Sequence, residues 1–119
     1  MTTWSPILIV IDDDHVFKAL ADAGRRRLLD ALYESDGRSL GALCEVLPSI
    51  TRFGVMKHLA VLEAAGLVIA HRAGRSKLHF LNPVPIREIY ERWITKYAEP
   101  TVAAMTGLRR QLERTTTTT

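Results

Sequence analysis

The chain has 119 residues, 47% hydrophobic and 24% charged, with a formal net charge of +3 and one cysteine. That length suits one domain with a buried core. A single cysteine, Cys44, excludes an intramolecular disulfide and a metal cage made of cysteines alone, and is consistent with a reducing cytoplasm. The charge is unevenly placed. Residues 1–50 carry five Lys/Arg against eight Asp/Glu; residues 51–79 carry Arg52, Lys57, Arg72, Arg75 and Lys77 against Glu63 alone; residues 80–119 carry six against four. Positive charge therefore gathers in the middle of the chain, as a face for a polyanion requires. His58, His71 and His79 lie in the same segment and add charge at lower pH.

Residues 1–13 form an N-terminal arm. Its apolar run Ile7 to Ile11 is too short to span a membrane. It lacks a basic flank and is followed by three aspartates, so it is not a signal peptide. A short strand, an arm on a partner subunit and disorder all fit it. Asp12, Asp13, Asp14 and His15 read as the acidic start of a helix rather than a metal site, because adjacent residues do not converge on one ion.

Val16, Phe17 and Leu20 give a first short helix its apolar face. Asp22 caps a second, Ala23 to Glu34, with Leu28, Leu29 and Leu32 inward. Arg25, Arg26 and Arg27 fan around its start, so one or two at most can face a phosphate. Ser35-Asp36-Gly37-Arg38 is a turn. Ser39 caps a third helix, Leu40 to Leu47, which Pro48 stops.

Three residues later comes TRFGVMKHLAVLEAAGLV, Thr51 to Val68, an amphipathic helix that ends in a glycine and runs into a strand. Thr51 is its N-cap, and Gly66 stands where helices end in the left-handed conformation. Val55, Leu59 and Leu62 share one face, while Arg52, Lys57 and His58 leave from the other. Helix, short turn and basic-fronted helix make a helix-turn-helix suited to a DNA major groove. Two runs, Leu67 to Ala70 and Lys77 to Leu81, then flank a glycine-containing tip with Arg72 and Arg75. This is a basic hairpin with Leu78 and Phe80 packed and Lys77 and His79 wet. In that position it is a wing, whose arginines can follow the DNA backbone or enter the minor groove.

Asn82-Pro83-Val84-Pro85 breaks the chain. A helix from Ile86 to Ala98 carries Tyr90, Trp93 and Tyr97 at helical spacing, and a last helix, Thr101 to Arg114, carries Val102, Met105, Leu108 and Leu112 on one side. An aromatic stripe beyond the needs of so small a core predicts a subunit interface, made of Phe17, Tyr90, Trp93, Tyr97 and Met105. Thr115 to Thr119 reads as a disordered tail.

With these pieces in place the chain resembles the ArsR/SmtB-type winged helix-turn-helix repressors. HVFKALADAGRRRLLDAL is similar to that family's first two helices, LGALCEVLPSITRFGVMKHLAVLEAAGLV to its helix-turn-helix, and IAHRAGRSKLHFLNP to its wing. The likeness covers residues 14–99, leaving 100–114 as a dimerisation helix and 115–119 as the tail. TRFGVMKHL and LNPVPIREIYERWITKYAEP further resemble a subgroup often encoded beside, or fused to, a START-like ligand-binding domain, which these 119 residues do not contain.

The resemblance implies a mainly α fold with a small β-hairpin wing, dimerising through its terminal helices. It implies a cytoplasmic homodimer that represses a promoter by binding an inverted-repeat operator in double-stranded DNA. By position, Thr51, Arg52, Gly54, Val55, Lys57 and His58 match the recognition helix, and Arg72, Arg75 and Lys77 the wing. Arg52 can read guanine bidentately, whereas Lys57 suits a phosphate. His58 precedes the inward Leu59, so it suits a bond within the fold as well as a DNA contact. Gly54 replaces a small hydroxyl residue common there; it either lets backbone approach DNA or weakens the helix.

Neither metal site of the family carries over. A Cys-x-Cys pair is reduced to Cys44 with Val46, and the helix Ile86 to Ala98 holds neither the Asp nor the His of the second site. The expectation is therefore no metal and no cofactor, with no effector named by the sequence. No phosphate loop or nucleophile motif supports an enzyme. Two further readings remain: a winged-helix module that binds protein, and a repressor responding to metal or oxidant through non-standard ligands.

Overall fold

The computed structural model describes residues 13–117. The arm expected over residues 1–13 thus lies, Asp13 apart, outside the described residues. So do residues 118–119 of the expected tail. The chain divides into two compact units, residues 1–86 and 87–119.

The first unit opens with α1 (Asp13–Leu20) and α2 (Ala23–Glu34). Asp13 and Asp14 occupy the first turn of α1, where the helix dipole favours anions. Val16 and Ala19 are its buried residues, and Phe17, expected on the apolar face, is exposed. Asp22 caps α2, accepting from the Arg25 amide at 3.1 Å. Leu28, Leu29 and Leu32 point inward as their spacing requires. Arg38–Ser39 forms β1, α3 spans Leu40–Val46, and α4 spans Arg52–Ala64. Ser39 and Thr51 cap α3 and α4, their hydroxyls accepting from Ala42 and Gly54 amides.

The C-terminus of α4 is a paired closure. Gly66 N–H donates to Glu63 O and Leu67 N–H to Leu62 O, both at 2.9 Å. This pattern needs a left-handed residue, and Gly66 supplies it at φ 75°. Leu62 and Leu67, which bracket the turn, are both fully buried. The chain therefore leaves α4 locked to the core and passes straight into β2 (Val68–Ala73).

β2 pairs antiparallel with β3 (Ser76–Leu81), and β3 pairs antiparallel with β1, so β3 is the central strand. Two expectations are corrected here. Arg38 belongs to a strand, opposite His79, rather than to a turn. His79 is buried rather than wet, its Nδ1–H donating to Arg38 O at 3.0 Å. A central strand has neighbours on both edges, and this one carries a polar ring inward because β1 offers it a carbonyl. Gly37 N–H to His79 O, and Leu81 N–H to the Asp36 carboxylate at 2.8 Å, fasten the same corner.

The core joins Leu28, Leu32, Leu43, Val55, Leu59, Leu62 and Leu67. Truncating a leucine at such a site costs about 2–5 kcal/mol. A short helix, α5 (Val84–Ile89), follows Pro83 and takes Pro85 in its first turn, where a missing N–H is harmless.

The second unit is not the regular helix expected from Ile86 to Ala98. Tyr90–Ile94 winds as a π-helix and Thr95–Tyr97 as a 3₁₀ turn. Thr95 N–H donates to Tyr90 O, and the Thr95 hydroxyl to Glu91 O at 2.9 Å. The last helix, α6, runs Glu99–Thr117. Thr115 to Thr117 are thus helical and not part of a disordered tail.

Candidate nucleic-acid interface

Successive residues turn about 100° around an α-helix. On α4 this sends Val55, Leu59 and Leu62 into the core and leaves three exposed sectors. Phe53 and Lys57 form the crest, with the Lys57 ammonium 5.3 Å from the Phe53 ring centroid. Arg52, Met56 and Ala60 flank the crest on one side. His58 lies on the other, half-buried.

The wing tip, His71 to Lys77, is exposed throughout. Ala73 pairs with Ser76, leaving Gly74-Arg75 as a two-residue turn, with Gly74 at φ 65°. Arg72 and Lys77 are direct cross-strand partners. Like charges placed opposite each other destabilise a hairpin, so this pair is a cost to the fold that an anion relieves.

Helix and wing meet across a groove of about 630 Å³, and Arg52, Met56, Arg75 and Lys77 line it, with Ser39 and Gly41 from the start of α3. Glu63 is the acid on its wall. Three of the basic residues singled out from the sequence, distant along the chain, thus share one concave surface. Arg72, Lys57 and His58 lie outside its lining.

The far flank of α4 is tied down rather than open. The Arg25 guanidinium donates to His58 Nδ1 at 3.3 Å, to Ala19 O and to Lys18 O, each at 2.9 Å. Arg26 donates to Leu20 O at 2.6 Å. These two arginines donate to carbonyls at the end of α1, where Lys18 O also accepts from the Ala21 amide at 3.2 Å. Asp22 sits beside them with its carboxyl held below the usual range, chiefly by the amide hydrogen bond from Arg25, with the Gly24 amide and the Arg25 charge adding to it.

Two residues assigned to the recognition surface serve the fold. Val55 has 0% exposure, so its side chain packs inward and cannot reach a base edge. Gly54 makes room for the turn: a Cβ there would stand 2.5 Å from Ile50 Cγ2. Two outward residues escaped the sequence reading, Phe53 at 66% exposure and Met56 at 48%. Their spacing from Val55 and Leu59 on the helix was the signal that could have found them.

Among the described residues no three His, Cys, Asp or Glu side chains gather as a metal site, and no helix is long and apolar enough to cross a membrane.

A helix-turn-helix whose second helix presents a basic outer face, followed by a basic three-stranded wing, defines a winged helix-turn-helix protein. Comparison with known proteins agrees. A helix-turn-helix domain family matches residues 18–70. An uncharacterized HTH-type transcriptional regulator of Bacillus subtilis, YuzN, is 41% identical over 86 residues, covering 68% of this chain and 94% of that protein. The transcriptional repressor SdpR of the same organism is 31% identical over 75 residues, 63% of this chain and 81% of that one. The structure of an ArsR-like transcriptional regulator from Rhodococcus sp. RHA1 superposes with a TM-score of 0.62 at 28% identity, covering 82% and 90%. The chain belongs to the HTH-type transcriptional regulators, DNA-binding proteins of the ArsR-like winged helix-turn-helix kind.

Proposed function

We propose that the protein is a cytoplasmic homodimeric repressor that binds an inverted-repeat operator. The observation that carries this reading is the shared groove: Arg52 from the recognition helix and Arg75 and Lys77 from the wing face one concavity on the most basic part of the chain. Thr51, Arg52 and Lys57 approach the major groove, with Arg52 on base edges and Lys57 on phosphate, while His58, which the sequence places there too, is engaged by Arg25 on the far flank. Arg72, Arg75 and Lys77 follow the backbone beside it. Dimerisation is supported by the exposed Phe17, Tyr90, Trp93, Tyr97 and Met105, joined by Leu108 and Leu112. A two-fold dimer sets two α4 helices about 34 Å apart, one helical turn of DNA. The printed name of SdpR, a transcriptional repressor, supports the direction of control.

The test is fluorescence anisotropy with DNA from upstream of the protein's own gene, against scrambled DNA, at two salt concentrations. Tight, sequence-preferring binding that weakens with salt is expected. Arg52→Ala relaxes base preference, while Arg75→Ala weakens all duplexes alike and lowers the salt slope by about one. Equal, weak binding to both duplexes, repeated with duplexes selected from a random pool, counts against operator recognition.

A further inference from the structure

The outward side of α4 is not uniformly basic. Phe53, Met56 and Ala60 fall at i, i+3 and i+7 and form a line of exposed apolar side chains along the helix. The fold does not need them, since Val55, Leu59 and Leu62 supply the core from the other side. Arg52 borders this ridge on one edge and Lys57 on the other, its ammonium 5.3 Å from the Phe53 ring. Arg75 and Lys77 stand across the groove that Met56 and Ala60 help to line.

An apolar ridge with Arg52, Arg75 and Lys77 on one side and Lys57 on the other calls for a partner that is anionic at its rims and apolar along its floor, at the width of one helix. The DNA major groove has that form: phosphates along both walls, and on the floor one apolar group, the 5-methyl of thymine. We propose that Phe53 and Met56 are specificity-determining residues that read thymine methyl groups. The operator half-site then carries thymine next to the base pair engaged by Arg52. The proposal rests on the operator-binding reading above and names the base class that the crest of α4 selects.

The experiment begins with the full-length protein selecting its preferred duplex from a random pool, so that no operator is assumed. Each thymine of the selected half-site is then replaced by deoxyuridine, which removes only the methyl. Wild-type affinity is expected to fall about fourfold for each contacted methyl. Phe53→Ala and Met56→Ala each bind the thymine duplex more weakly and become indifferent to deoxyuridine at the position they read. Both side chains are exposed and alanine is a good helix former, so the variants fold; circular dichroism checks this. If no deoxyuridine weakens wild-type binding while sequence preference persists, the ridge does not read methyls and operator binding stands. If both variants keep the full methyl response, other residues read them and the assignment is wrong. If selection yields no preferred sequence, operator recognition itself fails, and the ridge proposal with it.

Discussion

Arg25 and His58, 33 positions apart, are joined by a 3.3 Å contact in which the guanidinium donates to the imidazole Nδ1. The same guanidinium holds two carbonyls at the end of α1, so one side chain binds α1, α2 and α4 together. Arg25→Ala removes the side-chain donor of Ala19 O and of His58 Nδ1, while Lys18 O keeps the Ala21 amide, and a loss of about 2 kcal/mol is expected. Arg25→Lys restores little, because an ammonium cannot reproduce the planar fork. Arg26→Ala, which frees one exposed carbonyl, costs less. Urea denaturation of the three variants ranks them; an Arg25→Ala midpoint equal to that of Arg26→Ala would refute the linking role.

Asp22 gives this corner a pH dependence. Its folded carboxyl is held below the usual value, chiefly by the Arg25 amide hydrogen bond. A depressed carboxyl adds stability above its unfolded pKa of about 4 and loses it as pH falls through the lower folded value. Asp22→Asn keeps a side-chain acceptor at the cap but has nothing to titrate. Thermal melts from pH 6 down to pH 2 should show a smaller acid loss in this variant than in the wild type. Parallel curves would mean that other carboxylates set the acid limit.

Gly54 has a steric reason in the fold, the close approach of Ile50. An alanine there gains about 1 kcal/mol of helix propensity, but its Cβ would meet Ile50 Cγ2 at 2.5 Å. That methyl branches directly from Cβ and cannot swing aside alone, and overpacking of this kind costs about 1–3 kcal/mol. Gly54→Ala is therefore expected to lower the melting temperature by a few degrees. Adding Ile50→Ala removes the clash, so the double variant should melt higher than the sum of the two single effects implies. Additive effects would show that the close approach is not the cause.

Much of this architecture was legible in the chain. The caps Asp22, Ser39 and Thr51, the bounds of α2 and the glycine closure of α4 each rest on local chemistry that a sequence displays. What stayed hidden depends on partners distant in sequence. β1 is two residues long and has no periodicity of its own; it exists because β3 lies beside it. His79 could not be placed inward without knowing that Arg38 offers its carbonyl. The π-helix over Tyr90–Ile94 is a change of winding with no compositional mark. On α4, Phe53 and Met56 are apolar and so look like core residues in a sequence; their outward position follows only once Val55, Leu59 and Leu62 fix the inward side.

The Arg72–Lys77 pair sets stability against binding. The two face each other across the hairpin and both are exposed. Lys77→Glu converts the repulsion to an attraction, and a gain of about 0.2–1 kcal/mol is expected. The same change adds an anion to the groove that holds Arg52 and Arg75, so affinity for every duplex should fall, most steeply at low salt. Differential scanning calorimetry and anisotropy on one preparation test both halves. A variant that melts higher yet binds DNA as tightly as the wild type would remove Lys77 from the interface.

In the second unit, Trp93 and Tyr97 sit edge to face with ring centroids 5.4 Å apart, each about half exposed. Such an aromatic pair contributes more than its area when a second surface covers it. Trp93 lies in the π-helical stretch and Tyr97 in the 3₁₀ turn after it, while Met105, Leu108 and Leu112 are exposed on α6. If these residues form the subunit contact, Trp93→Ala with Tyr97→Ala should yield a monomer in light scattering. Operator affinity should then fall sharply, because two half-sites are no longer bound as one unit. Circular dichroism should still show a folded first unit, since its core contains neither ring. A double variant with the mass of the wild-type dimer would place the interface elsewhere.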